Sequence, residues 1–323
     1  MRDECTRATP GLPIGVTMDG RTGQTLDIAS ARCNDPASTH CPGAVAMPSD
    51  RYAVIGHPVG HSLSPTIHAR FAQQTGEDLE YSRIEPAENG FGEAATAFFS
   101  EDGRGLNVTV PFKAEARAWC DRVSDRAERA GVVNTLTLQA NGWVAGDNTD
   151  GIGLVRDLTV NLDIGLAGVR ILLIGAGGAA RGVLEPLLGE TPADILVANR
   201  TAARAEELAA EFQADGPVRG CGFDTLDHEP AFDVIINASA ASLGGALPPI
   251  PAAVIARGAA VYDMMYGPRA DPFLDWGRDA GAATVSDGLG MLVEQAAESF
   301  LIWRGVRPQT TAVLAALRAE QGE

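Results

Sequence analysis

The segment from Val169 to Phe212 constrains the fold more tightly than any other part of the chain. Ile171-Leu-Leu-Ile174 is a short apolar run that stops abruptly at Gly175, as a buried strand does at its end. Gly175-Ala176-Gly177-Gly178-Ala179 comes next, then a helical pattern over 180–188. A second apolar run, 195–198, leads into another helical pattern over 201–212. A strand that turns through glycine into a helix and returns as a strand lies parallel to its predecessor. Further apolar runs at 232–236 and 260–262 continue the alternation. The pattern predicts a doubly wound parallel sheet with its ligand at the strand C-termini.

The glycine turn carries chemistry as well as shape. Gly175 permits the tight turn, and Gly177 and Gly178 let backbone approach a pyrophosphate. The helix that follows presents unsatisfied N–H groups and a partial positive charge. Gly175, Ala176, Gly177, Gly178 and Ala179 are therefore candidate dinucleotide contacts, although the motif departs from a strict GxGxxG. The end of the second strand selects the cofactor. An NAD site usually has Asp or Glu there, to bind the adenosine ribose. This chain has Asn199-Arg200-Thr201, with Arg204 one turn on. Two guanidinium groups and a hydroxyl suit a 2′-phosphate, which a carboxylate would repel. NADP(H) is the expected cofactor.

The preceding half is more irregular. Strands are expected at 52–55, 105–110, 132–138 and 143–146, the last two joined by a hairpin at Asn141-Gly142. A helix over 65–74 has Ser64 as its expected N-cap and Pro65 at its first position, and another starts near Ala114. Closing helices are expected at 289–303 and 310–320. Residues 1–46 are rich in turns and show little apolar periodicity, so they read as a disordered tail or as sequence upstream of a start at Met47. No secretory signal pattern is evident there.

Charge and cysteine usage narrow the function. The net charge is −17, which disfavours nucleic acid and anionic membrane as partners. Anion sites in such a chain must be built locally, from helix N-termini, hydroxyls and a few arginines. Cys5, Cys33, Cys41, Cys120 and Cys221 are odd in number and contain no CxxC pair. Neither a disulfide framework nor a metal site is expected, and a cytoplasmic location fits best. Of 25 basic residues, Lys113 is the single lysine. Lysine, unlike arginine, can lose its proton in a suitable site.

Lys113 ends Gly105-Leu-Asn107-Val-Thr109-Val-Pro-Phe-Lys113, just beyond an expected strand. Asn107 and Thr109, two apart, share one face of it. Polar groups recur in His61-Ser62-Leu-Ser64-Pro65, Val133-Asn134-Thr135 and Gly146-Asp-Asn-Thr-Asp150-Gly151. Each alone reads as an ordinary turn or cap. Together with Asn237-Ala-Ser239, Asp263-Met-Met-Tyr-Gly-Pro268 and Asp287-Gly-Leu-Gly-Met-Leu-Val-Glu-Gln295, they occur in the order found in the shikimate dehydrogenase family. From about Tyr52 onward the chain resembles that family.

The resemblance implies a fold and a set of roles. An N-terminal α/β substrate domain, 47–150, would be completed by the closing helices of 288–323. A Rossmann NADP domain would span 151–287, with the site in the cleft between and closure over bound ligand. Ser62 and Ser64 would bind the substrate carboxylate, with Tyr266 nearby. Asn107, Thr109, Asn134, Asp150 and Gln295 would line the ring-hydroxyl site. Lys113 and Asp150 would form the catalytic pair. Met264 and Gly288 would contact the nicotinamide end, and Asn237 would help hold the cofactor. The reaction implied is the NADPH-dependent interconversion of 3-dehydroshikimate and shikimate, by a monomer or homodimer. The alternatives are a quinate or aminoshikimate dehydrogenase on the same scaffold, an NADP enzyme acting on folates or amino acids, and a non-catalytic NADP or metabolite sensor. Some quinate-preferring relatives carry threonine where Ser64 stands, so Ser64 favours shikimate. His57 stands where the family commonly has Asn, and reads as a loop residue.

Overall fold

The structure is a computed structural model that describes residues 49–239 and 247–322. The extension over 1–46 and residues 240–246, an alanine-rich stretch that follows Asn237-Ala-Ser239, lie outside the described residues. Two six-stranded sheets organise the described chain.

The second sheet is the one expected from the glycine turn. It contains β7 (Arg170–Ile174), β8 (Asp194–Asn199), β9 (Val218–Gly222), β10 (Phe232–Asn237), β11 (Ile255–Asp263) and β12 (Thr284–Ser286). Their spatial order is β12-β11-β10-β7-β8-β9, parallel throughout. The chain starts in the middle, winds outward one way and then returns to wind the other, which is the doubly wound dinucleotide-binding order. The reversal falls between β7 and β10. Alternate residues of β7 serve opposite cores. Ile171 and Leu173 pack with Val183, Leu187, Leu208 and Phe212, while Leu172 and Ile174 pack with Leu226, Val254 and Phe273. Burial on both faces explains why β7 reads as a continuous apolar run. α6 (Gly178–Gly189) and α7 (Ala202–Phe212) supply the first of those cores, and α8 (Asp271–Asp279) contributes to the second.

The first sheet is mixed. β1 (Asp50–Ile55) lies between β2 (Leu79–Ile84) and β3 (Gly103–Val108), all parallel. β5 (Thr135–Leu138) runs antiparallel to β3, and β6 (Val144–Asp147) antiparallel to β5. The short β4 (Arg122–Val123) completes the edge beside β6. The β5–β6 hairpin turns at Gly142, whose φ is +85°. α2 (Phe91–Ser100) and α3 (Lys113–Trp119) cover one face through Phe91, Phe98 and Ala116. α1 (Ser64–Thr75), α9 (Leu289–Arg304) and α10 (Thr311–Gln321) share another core, with Ile67, Phe71, Phe300 and Leu317. Trp303 of α9 reaches back to this sheet, and its indole N–H donates to the Leu136 carbonyl at 3.1 Å.

Several boundaries move. The 132–138 strand begins only at Thr135, although Asn134 just before it is still tied by its backbone to both neighbouring strands, its carbonyl accepting from Val108 N and its N–H donating to Asp147 O. α1 starts one residue earlier than expected, so Ser64 is its first residue and Leu63 the cap position. Ser64 therefore does not cap the helix.

The two sheets meet through α5 (Asp150–Arg156), which runs on as a π-helical turn, Asp157–Asn161. The boundary expected at 150/151 falls at the first residue of this helix. Glycine makes its packing possible. A Cβ on Gly151 would lie 2.5 Å from Pro186 Cγ and 2.6 Å from the Gly182 carbonyl of α6. One on Gly153 would lie 2.7 Å from Gln295 Cβ of α9. Glu294 of α9, its side chain fully buried, accepts from Arg156 at 2.9 Å, Arg307 at 2.9 Å and Thr310 at 2.5 Å. Burial alone would raise its carboxyl pKa; the Thr310 and Arg156 contacts outweigh burial and hold it below the usual value.

Candidate active site

Asp150 is placed by the geometry of α5, at the point where the helix meets both α6 and α9. Its Oδ2 accepts from Lys113 Nζ at 2.6 Å. The pair is partly shielded from water, with side-chain exposures of 31% for Lys113 and 17% for Asp150. Lys113 opens α3, directly after the turn at Val110–Pro111. The lone lysine thus sits beside the carboxylate with which the resemblance pairs it.

Asn134 fixes the other oxygen of Asp150. Its Nδ2 donates to Asp150 Oδ1 at 2.8 Å and to Thr149 Oγ1 at 2.9 Å, and lies 3.4 Å from Gln295 Oε1. Its own oxygen accepts from Thr149 N and from Thr135 Oγ1. Asp150 N donates to Asn148 Oδ1 at 3.0 Å. Gln295 is held by its Nε2 bond to the Leu292 carbonyl, 2.8 Å. Lys113, Asn134, Asp150 and Gln295 therefore form one cluster, drawn from α3, the β3–β5 junction, α5 and α9.

Asn107 takes a different position. It is buried, with its Oδ1 accepting from Tyr81 Oη at 2.7 Å and its Nδ2 donating to Ser299 Oγ at 2.9 Å. Its amide is thus held behind the cluster, engaged by protein groups at both ends. Thr109, half-buried, lies just past β3 with its methyl against Gly56. Ser62 and Ser64 stand together. Ser62 Oγ lies 3.1 Å from Ser64 Oγ and accepts from Ser64 N at 3.2 Å. Arg83 clamps this turn from β2, with Nη2 donating to the Ser62 carbonyl at 2.6 Å. Tyr266 is half-buried against the core of α1 and α9, and burial raises its phenol pKa. His57 lies in a loop, with Nδ1 3.0 Å from the Pro86 carbonyl.

Sequence reasoning misses Tyr81, Thr149, Ser299 and Arg83. The first and last lie on β2, an edge strand whose mixed composition gives no strand signal. Thr149 and Ser299 are single hydroxyls that only tertiary packing brings to Asn134 and Asn107. Behind Tyr81 lies His68, fully buried and stacked on its ring at 4.2 Å. Neither ring nitrogen of His68 has a hydrogen-bond partner. Burial lowers its pKa to about 3, opposed only in part by Asn107.

The glycine turn follows β7, next to the reversal of strand order. Gly175 has φ +111°, and a Cβ there would lie 3.1 Å from the Ala238 backbone. The turn can therefore hold no other residue without strain. Gly177 occupies the cap position of α6 with no side chain over the first N–H groups, which leaves them open to a phosphate. Gly177, Gly178 and Ala179 are exposed. At the end of β8, Asn199 Nδ2 donates to Thr201 O at 3.0 Å, and Arg200 and Arg204 are exposed. Open N–H groups flanked by two guanidiniums fit a phosphorylated dinucleotide. Asn237 is instead buried, with Nδ2 donating to Asp263 Oδ2 at 2.9 Å and Oδ1 accepting from Ser239. It shapes the β10 and β11 ends rather than facing outward. Met264 and Gly288 flank those same ends, with Met264 N donating to Asn237 O and Gly288 N to Met265 O.

A doubly wound sheet with an open glycine turn, joined to a second sheet bearing a shielded Lys–Asp pair, defines a dinucleotide-dependent dehydrogenase. The shikimate dehydrogenase substrate-binding domain matches residues 54–136. Shikimate/quinate 5-dehydrogenase matches 159–244, and the shikimate 5′-dehydrogenase C-terminal domain matches 288–318. The chain is 56% identical to shikimate dehydrogenase (NADP(+)) of Alkalilimnicola ehrlichii over 272 residues, 84% of this chain and 100% of that protein. It is 55% identical to the Methylococcus capsulatus protein of the same name, over 84% and 97% of the two chains. The crystal structure of shikimate 5-dehydrogenase from Thermus thermophilus, in complex with NADP(H) and shikimate, superposes with a TM-score of 0.73 at 32% identity, covering 84% of this chain and 99% of that one. That of an Ael1 enzyme from Pseudomonas putida gives 0.79 at 45%, covering 83% and 98%. The chain belongs to the shikimate dehydrogenase family.

Proposed function

We propose that this chain catalyses the reversible NADPH-dependent reduction of 3-dehydroshikimate to shikimate, a step toward chorismate and the aromatic amino acids. The observation that carries the reading is the 2.6 Å contact between Lys113 and Asp150 within the Asn134–Gln295 cluster. Bound NADPH supplies the hydride for the ring ketone. As the carbonyl carbon is reduced, negative charge develops on its oxygen, and a nearby ammonium stabilises it. Lys113 is that ammonium. Asp150, held by Asn134, orients it and accepts from a ring hydroxyl. The pair delivers the proton that completes the alcohol.

Ser62 and Ser64 take the substrate carboxylate through their hydroxyls, with Tyr266 alongside. Asn107, Thr109, Asn134 and Gln295 line the ring-hydroxyl site, with the Asn107 amide held by Tyr81 and Ser299. The turn of Gly175, Ala176, Gly177, Gly178 and Ala179 cradles the pyrophosphate, and Asn199, Arg200, Thr201 and Arg204 take the 2′-phosphate. Met264 and Gly288 border the nicotinamide end, and Asn237 fixes the loop beside it. The halves 47–150 with 288–323, and 151–287, act as substrate and cofactor domains. No helix among the described residues is long and apolar enough to cross a membrane, and we assign the enzyme to the cytoplasm as a monomer or homodimer.

Loss of NADPH absorbance on adding 3-dehydroshikimate tests the proposal. Turnover is expected, with shikimate oxidised faster than quinate in the reverse direction. A protein that binds NADP but consumes none with this ketone would be a sensor, and the reading would fall.

A further inference from the structure

The arginines of this acidic chain are unevenly neutralised. Most of those in the described residues hold a carboxylate within 4.0 Å; Arg83, Arg122, Arg200, Arg204, Arg257 and Arg269 do not. Two of the six, Arg200 and Arg204, stand where the 2′-phosphate is placed. Arg122 stacks on Trp143, 4.5 Å from its ring centre. Arg257 lies on β11, and Arg269 acts by its charge on the Tyr266 phenol. Arg83 is exposed, on the carbonyl of Ser62.

Its location follows from β2. Residues 81 and 83 lie on one face of the strand. Tyr81 reaches Asn107, behind the catalytic cluster, and Arg83 reaches the turn that carries the serine pair. The nearby Glu85 is turned to the loop at 57–59, where its Oε2 accepts from Val59 N at 3.1 Å and its Oε1 lies 3.8 Å from His57 Nδ1. One N–H of Arg83 is used on Ser62 O. A guanidinium has five, all fixed in one plane.

We propose that Arg83 is a specificity-determining residue, a fixed positive charge that makes the substrate's carboxylate a requirement for tight binding. The inference rests on the assignment of Ser62 and Ser64 to that carboxylate. Two serine hydroxyls are neutral donors and can also bond an ester or amide carbonyl, though less strongly than a carboxylate. A molecule of net charge −17 repels an anion at long range, and a local cation reverses that field at the site. Arg83 supplies the cation while its bond to Ser62 O holds it in register with the hydroxyls.

The test compares shikimate with its methyl ester in NADP+ reduction by the wild type, Arg83→Gln and Arg83→Lys. Glutamine keeps a donor for the Ser62 carbonyl and removes the charge. Arg83→Gln is expected to lower kcat/KM for shikimate about tenfold, through KM, as loss of one nearby charge does. Its kcat, its KM for NADP+ and its activity on the ester should stay near wild type, and raising salt should depress kcat/KM for shikimate less steeply. Arg83→Lys should keep most of the preference for acid over ester. Equal losses on acid and ester, an unchanged preference, or a lysine variant no better than glutamine would each overturn the role. A wild type inactive on shikimate would instead remove the underlying functional reading.

Discussion

The Lys113–Asp150 centre and the glycine turn after β7 are built from different material. The first is made of side chains that hold one another. Asp150 is bound at both oxygens, and Asn134 at both ends of its amide. The second is made of backbone: open N–H groups at the start of α6, a left-handed glycine, and exposed arginines with no carboxylate partner. Catalysis needs a reacting proton placed closely, so its groups are pre-set by mutual hydrogen bonds. A dinucleotide offers many phosphate oxygens, so its cradle needs shape and positive potential more than a unique side chain. Polar substitutions should therefore be costly at the first site and graded at the second.

The largest expected effect is at the first site. Lys113→Ala should lower kcat about 10²-fold or more, with a much smaller change in KM for the ketone substrate. Near-normal turnover in steady-state assays would show that the polar cluster is scaffolding alone. Next is the glycine that lets α5 approach α6. Gly151→Ala forces a methyl into Pro186 and the Gly182 carbonyl, and should destabilise the fold by roughly 2 kcal/mol. Urea denaturation measures this, and an unchanged midpoint would mean the helices part at little cost. At the cofactor edge, Arg200→Ala should reduce the kcat/KM preference for NADPH over NADH about tenfold, the scale of one charge-assisted hydrogen bond. A preference for NADH in the wild type would invert the assignment.

The smallest effect concerns His68. Its folded pKa, about 3, lies below its ordinary value of 6.5. Between those values the unfolded chain carries more protons, so the neutral buried ring is a stable arrangement above about 6.5, and stability falls as pH drops from there toward 3. The slope attributable to this residue is about 1 kcal/mol per pH unit. His68→Phe keeps the stacking surface and removes the titration. Its stability should therefore decline less between neutral and mildly acidic pH; matching slopes would mean that other groups dominate.

The same contrast governs what is legible in the chain itself. β7, the glycine turn, α6 and β8 announce themselves because central parallel strands are apolar on both faces and glycine has few substitutes at φ +111°. β2 and β9 are edge strands, paired on one side only. Their sequences, Leu79-Glu-Tyr-Ser-Arg-Ile84 and Val218-Arg-Gly-Cys-Gly222, are largely exposed or only partly buried and give no strand signal. Tyr81 and Arg83 stay hidden with their strand. Among the site residues, Lys113, Asp150, Asn134 and Gln295 come together as their motifs suggest. Asn107 and Asn237 do not face outward: composition shows that an amide is present, whereas tertiary partners decide which way it is used. Ser-Pro usually opens a helix, which points to Ser64 as a cap, but here the helix takes Ser64 inside and sets its hydroxyl beside Ser62.

The wall behind the catalytic cluster is finished by a helix far along the chain from the residues it supports. Ser299, which receives Asn107 Nδ2, and Phe300, which packs on Phe71, both belong to α9. A nascent polypeptide that has emerged only as far as β12 already possesses Lys113, Asp150 and the whole parallel sheet, yet leaves the Asn107 amide without that acceptor and the apolar side of α1 bare. Competence for turnover therefore waits on α9, and deletion of that helix should be as disabling as losses at the centre itself.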